Sequence, residues 1–106
     1  MVKEVLTGAG FIEGKTFKEC RFLKPPATTY AVYMDSYDRR GADNLNLIKE
    51  HGYAIELYSA APDKQAEARI ERSLDNLGIA YEKQERYWLE SEGLYQVIYN
   101  FDYMEK

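Results

Sequence analysis

The feature that most constrains this chain is the alternation near its end. Tyr95, Val97, Tyr99, Phe101 and Tyr103 occupy every second position, and a period of two places all five on one face of a strand. A face so rich in aromatic and β-branched side chains needs a cover before it needs anything else, so the stripe reads as core under a helix rather than as a ligand platform. The required helix stands upstream. Pro62 suits a first helical turn, Asp63 places negative charge at the positive end of the helix dipole, and Gly78 supplies a left-handed stop. The spacing predicts a helix over residues 62–77, with Ala66, Ile70, Leu74 and Leu77 facing the sheet and Glu67, Glu71, Arg72 and Asp75 facing away.

The remaining elements come from the same two periods. Val2, Val5 and Leu6 predict a short amino-terminal helix ended by Gly8 and Gly10. Residues 11–23 are a lead-in with Phe17 and Phe22 as anchors, and Pro25 with Pro26 breaks regular structure. Residues 28–34 predict a strand with Tyr30, Val32 and Met34 on one face and Ala31 and Tyr33 on the other. A polar connection over 36–44 leads to a second strand over 45–50. His51 and Gly52 then punctuate before a third strand over 53–59, in which Tyr53, Ile55 and Leu57 alternate with Ala54, Glu56 and Tyr58. Residues 79–89 and 94–103 form a carboxy-terminal β-hairpin around Glu90, Ser91, Glu92 and Gly93. The expectation is one α+β domain over residues 1–106: a short amino-terminal helix, three mainly antiparallel strands, one amphipathic helix on the sheet, and the hairpin.

Composition removes several classes of function. With a single cysteine, Cys20, and a single histidine, His51, the chain has neither an internal disulfide nor a zinc-ligand set. His51 reads as a turn or edge residue. The net charge is −4, with basic residues scattered, and only Arg39 and Arg40 stand as an adjacent pair. That argues against specific nucleic-acid binding, which needs several cations acting together. No apolar run approaches the roughly 20 residues that span a bilayer, so no membrane partner is expected. Met1 to Gly10 does not read as a secretion signal, and the lone cysteine suits a reducing cytoplasm.

Chemistry-bearing candidates are few. Asp35, Asp38, Arg39, Arg40 and Asp43 cluster around Gly41, in and just before the polar connection. Paired carboxylates there would suit a metal ion and the arginines a phosphate, the basis of an alternative reading as a small ligand-binding or metal-dependent enzyme domain. A solvated tip is favoured over it, because no nucleophile or histidine base lies nearby. A tip that touches a neighbouring subunit is the third reading of these residues. Glu90 and Glu92 read as a solubilising edge. No phosphate-binding glycine loop, nucleophile elbow or zinc spacing occurs, and neither cofactor nor catalytic activity is expected. Ten tyrosines, in a chain with four phenylalanines and one tryptophan, fit strands and protein contact surfaces instead. They also leave open a module that stacks single-stranded nucleic acid, against which the acidic balance speaks.

Three stretches carry a resemblance: Phe22-Leu23-Lys24-Pro25-Pro26 leading into Thr29-Tyr30-Ala31-Val32-Tyr33; Tyr53-Ala54-Ile55-Glu56-Leu57-Tyr58; and Leu89-Glu90-Ser91-Glu92-Gly93-Leu94-Tyr95-Gln96-Val97-Ile98-Tyr99. Across residues 11–103 the chain resembles small head-neck proteins of long-tailed bacteriophages and Gram-positive prophages, the tail terminators and head-tail connectors. The resemblance implies an α+β fold and a ring, often of six subunits, that caps the tail tube and meets the head-completion proteins. Such a protein works in the host cytoplasm during assembly and then in the virion neck. The family offers no catalytic residue to carry over.

Overall fold

The computed structural model of the chain describes the backbone of residues 2–37 and 49–105 and the side chains of residues 2–34 and 52–102. Two helices cover one face of a six-stranded sheet: α1 (Val2–Gly8), β1 (Phe17–Glu19), β2 (Tyr30–Tyr37), β3 (Lys49–Ser59), α2 (Lys64–Asn76), β4 (Glu82–Lys83), β5 (Tyr87–Leu89) and β6 (Leu94–Glu105). The sheet order is β1-β2-β3-β6-β4, with β5 also paired to β6. All pairings are antiparallel except β1 with β2. The α+β class read from the sequence is the one observed.

The alternation does what its period requires. Val97, Tyr99 and Phe101 of β6 are buried beside Ile55 and Leu57 of β3 and Ala31 and Tyr33 of β2. Over them α2 adds Ala66, Ile70 and Leu74, each with no exposed surface, and α1 adds Val5 and Leu6. Asp63 caps α2, its carboxylate accepting from the Ala66 amide at 3.0 Å and from the Thr29 hydroxyl at 2.8 Å. That cap ties the helix start to the residue just before β2. Gly78 comes next at φ 71°, a left-handed stop.

Helix α1, about 10 Å long, is held by side chains of α2. Ser73 donates its hydroxyl to the Val5 carbonyl at 2.7 Å, and Arg69 donates to the Ala9 carbonyl at 3.0 Å. Carbonyls at a helix end need such partners. Gly8 makes the approach feasible, since a Cβ there would lie 2.7 Å from the Ser73 hydroxyl oxygen.

Several expectations are corrected. Strand β3 runs unbroken through His51 and Gly52, which are paired to Tyr37 and Ser36 on one side and to Tyr103 and Asp102 on the other. A glycine costs a strand about 0.5–1 kcal/mol, too little to end one laddered on both sides. His51 thus sits in a central strand, not at a turn or edge, and residues 49–50 belong to that same strand. Residues 45–48 lie outside the described residues. The lead-in contains β1, which lies parallel to β2 with Phe17 buried in the core. Leu77 is 40% exposed at the end of α2 and does not belong to the buried stripe. Glu67, expected to face away, is buried.

The first arm of the carboxy-terminal hairpin is also not one strand. Lys83 pairs with Tyr99, but Tyr87 pairs with Gln96. Three residues, Gln84, Glu85 and Arg86, therefore stand against two, Val97 and Ile98, which is the count of a β-bulge. The extra residue reverses the parity of β5 relative to β4, so Trp88 lies on the side of Tyr95, the helix-covered side, and Tyr87 on the other.

Candidate interaction surface

Of the charged cluster read from the sequence, Asp35 falls within β2, opposite Tyr53, and Asp38, Arg39, Arg40 and Asp43 lie outside the described residues. The chemistry-bearing groups that the structure does bring together are on α2 and the β4–β5 edge. The Glu67 side chain is 5% exposed and accepts from three nitrogens: Lys83 Nζ at 3.0 Å, Arg86 Nε at 3.0 Å and Arg86 Nη2 at 2.9 Å. One turn along the helix, Glu71 takes Lys83 at 2.7 Å and the Tyr99 hydroxyl at 2.8 Å. Two glutamates spaced i, i+4 repel one another on a bare helix, and Lys83 lies between them.

Ionisation follows this geometry. Burial raises the Tyr99 hydroxyl well above the ordinary phenol range, reinforced by its hydrogen bond to Glu71, so it stays a donor. Burial opposes ionisation of Glu71, but the hydrogen bonds from Lys83 and Tyr99 outweigh it and hold the carboxyl below its usual value. Lys83 is likewise opposed by burial and raised on balance by Glu71 and Glu67. Two carboxylates thus meet two cations, with one phenol donating. The cluster is neutral and internally hydrogen-bonded. Its chemistry is that of a clamp that holds the bulged edge against α2, since each acceptor is already engaged by a fixed donor. No group of three or more potential metal ligands occurs among the described residues.

The opposite face of the sheet is wetter. Tyr30 and Tyr58 stack at 5.2 Å, Phe22 meets Tyr30 edge-on at 5.5 Å, and Gln96 donates to the Tyr58 hydroxyl at 2.9 Å. The Tyr58 hydroxyl in turn donates to Glu56 at 2.6 Å, and burial with that bond raises it far above the ordinary phenol range. Between this row and the β5–β6 turn runs an open groove of about 370 Å³, bordered by Phe22, Pro25, Leu89 and Leu94. The anchor role read for Phe22 is met on this face, and that of Phe17 on the other.

Besides Leu77, exposed apolar groups stand at the edges of the sheet. Tyr87 is 63% and Trp88 44% exposed on β5, with the indole resting 4.8 Å from the Tyr95 ring. At the far side of the sheet Ile12 is exposed beside β1, and Leu23 is exposed in the stretch between β1 and β2. The sequence reading missed the clamp and both edges. Glu67 sits next to Ala66 of the buried stripe, the one signal that could have marked it. Its partners lie 16 and 19 residues further on, beyond any helical spacing. No family model, curated protein or solved structure matches the chain.

Proposed function

We propose that the chain is a structural assembly subunit, a tail terminator or head-tail joining protein of a long-tailed phage or prophage. It closes with copies of itself into a ring at the tail-head junction, with six copies the number its resemblance implies. The observation that carries this reading is how polar and apolar groups are divided. The ionic cluster around the buried Glu67 is engaged within itself in holding α2 to the sheet, whereas exposed aromatic surface is gathered at a sheet edge. Tyrosine and tryptophan exposed in this way suit contact with another protein, where a ring buries its apolar body and the polar atom keeps a partner.

The test is direct. Purified protein is expected to give rings by negative-stain electron microscopy and a multiple of the 12.3 kDa chain mass by light scattering. Strict monomers up to millimolar concentration, alone and with tail-tube and head-completion proteins added, would refute the reading. A magnesium-dependent gain in melting temperature that Asp38→Ala or Asp43→Ala abolishes would instead favour the metal-dependent domain.

A further inference from the structure

The two ends of the sheet differ in charge, and each combines that charge with exposed apolar side chains. At the β4–β5 end, Lys83 and Arg86 are committed to Glu67 and Glu71. Glu82, Glu85 and Glu90 are exposed with no cation against them among the described residues. This end therefore presents unneutralised carboxylates around Tyr87 and Trp88. At the β1 end, Glu13 is taken by Lys3 at 2.9 Å. What remains there is Lys15 and Lys18 against the single carboxylate of Glu19, all exposed, beside Ile12. Arg21 and Glu92 line the groove on the open face together and belong to neither end. With β1 and β4 at opposite ends of the strand order and strands spaced about 4.8 Å apart, these two surfaces stand roughly 19 Å from one another across the sheet.

From this we infer that the acidic, aromatic β4–β5 edge of one copy seats on the basic β1 edge of the next. The occupant is a second copy of this chain. Every copy carries both surfaces on opposite sides, so the contact is head to tail and leaves one free surface of each kind, the arrangement that closes into a ring when the rotation between copies permits. This placement rests on the proposed assembly role and adds where the contact lies.

The contact runs through side chains rather than through a continued sheet. On β1 the outward Phe17 amide donates to Ile12 and its carbonyl accepts from Gly14, while the Glu19 carbonyl accepts from Arg21. With those groups occupied, a strand added to β1 would find little to bond. Lysines meeting carboxylates at a rim, with the aromatic side chains of β5 against Ile12, give orientation and salt sensitivity together.

A charge swap tests this. One variant carries Lys15→Glu and Lys18→Glu; the other carries Glu82→Lys, Glu85→Lys and Glu90→Lys. All five positions are exposed, and circular dichroism with thermal melting confirms that each variant folds. By analytical ultracentrifugation at low salt, wild type is expected as an oligomer that dissociates in about 1 M salt, where the screening length falls to about 3 Å. Each variant alone is expected as a monomer, its assembly weakened at least about 100-fold in line with like charges facing each other. Mixed in equal amounts the two variants are expected to assemble again, because each new edge matches the other's. A control with Gln65→Lys, Ala68→Lys and Asp75→Lys on the exposed face of α2 should not rescue the first variant. Variants that assemble alone as wild type does, or a control that rescues equally, would overturn the edge assignment and leave the assembly reading standing. Wild type that stays monomeric under every condition would overturn both.

Discussion

Replacing Glu67 with alanine removes both hydrogen bonds of Arg86 and one of the two carboxylate contacts of Lys83. Breaking a buried ion pair from one side typically costs about 3–5 kcal/mol, because the other charge is left without compensation. Here the orphaned groups have relief: the Arg86 side chain is 30% exposed and Lys83 38%, and Lys83 keeps Glu71 at 2.7 Å. The expected loss is therefore about 2–3 kcal/mol, and the isosteric Glu67→Gln, which keeps an acceptor without the charge, should lose about half as much. For a domain of this size the alanine variant should melt about 8–12 °C lower. Urea unfolding measures the free energy, and the exposed Arg72→Ala is the reference, expected within about 0.5 kcal/mol of wild type. A double-mutant cycle with Arg86→Ala should return a coupling of about 1 kcal/mol or more. If Glu67→Ala were as mild as Arg72→Ala and the coupling vanished, the clamp would contribute nothing to stability, and the account of the bulged edge would fail with it.

Other expectations can be checked in the same assays. Ile70→Ala or Leu74→Ala should each cost about 2–5 kcal/mol as fully buried aliphatic truncations, and Leu77→Ala less than about 1 kcal/mol, measured by denaturant unfolding. Glu71→Ala should be clearly destabilising, by about 1–2 kcal/mol, since it strands the Tyr99 hydroxyl as well as Lys83. Asp63 is held below its ordinary value, chiefly by the Ala66 amide, and Glu71 is also depressed. Their stabilisation is thus present above the unfolded-state carboxylate pKa and is lost as pH falls through the lower folded values, so melting temperature should drop on acidification below about pH 4.5 and less steeply in Asp63→Asn, which should itself cost little as a cap. Arg39→Ala with Arg40→Ala should leave the monomer's melting temperature unchanged and weaken ring formation or tail joining if that stretch contributes a subunit contact; light scattering and a tail-joining assay read the two effects separately.

What was legible in the sequence was whatever is coded by local period and punctuation. Asp63, the stripe of Ala66, Ile70 and Leu74, and Gly78 place α2 to within two residues, and the faces of β2, β3 and β6 come from alternation alone. What was not legible depends on partners distant along the chain. Gly52 looks like a strand end until ladders on both sides of β3 are known. Glu67 looks like a solvent residue because lysine and arginine at positions 83 and 86 reach it only after the edge has folded back onto α2. Leu77 continues a helical stripe on paper, yet the Leu77 amide bonds back to Ser73 and Asp75 at the very end of the helix, where the side chain clears the sheet. The residues singled out for chemistry at 38–43 lie outside the described residues, so the charges whose pairing can be followed are those of α2 and the β4–β5 edge.

The bulge links the clamp to the contact surface. A sheet edge with free backbone groups is a template for uncontrolled pairing, and proteins blunt such edges with bulges, charges or covering turns. Both ends of this sheet are blunted: β1 by the turn whose Ile12 and Gly14 occupy the Phe17 backbone, and the β4–β5 edge by the extra residue among Gln84, Glu85 and Arg86. The extra residue lets Trp88 stand opposite Tyr95 on β6, and Arg86 beside it is tied to Glu67. Deleting Glu85 should remove the bulge without moving the aromatic pair. Gln84 and Arg86 would then stand against Ile98 and Val97 one to one, so Tyr87 would still pair with Gln96 and Trp88 with Tyr95. Tryptophan emission should therefore stay that of wild type, because the indole keeps the Tyr95 ring. What the deletion removes is the blunting of the edge, so the variant should aggregate more readily by strand pairing, in a form that salt does not dissolve. A red-shifted emission with no gain in aggregation would mean that the bulge itself, and not the pairing on either side of it, holds the indole on Tyr95.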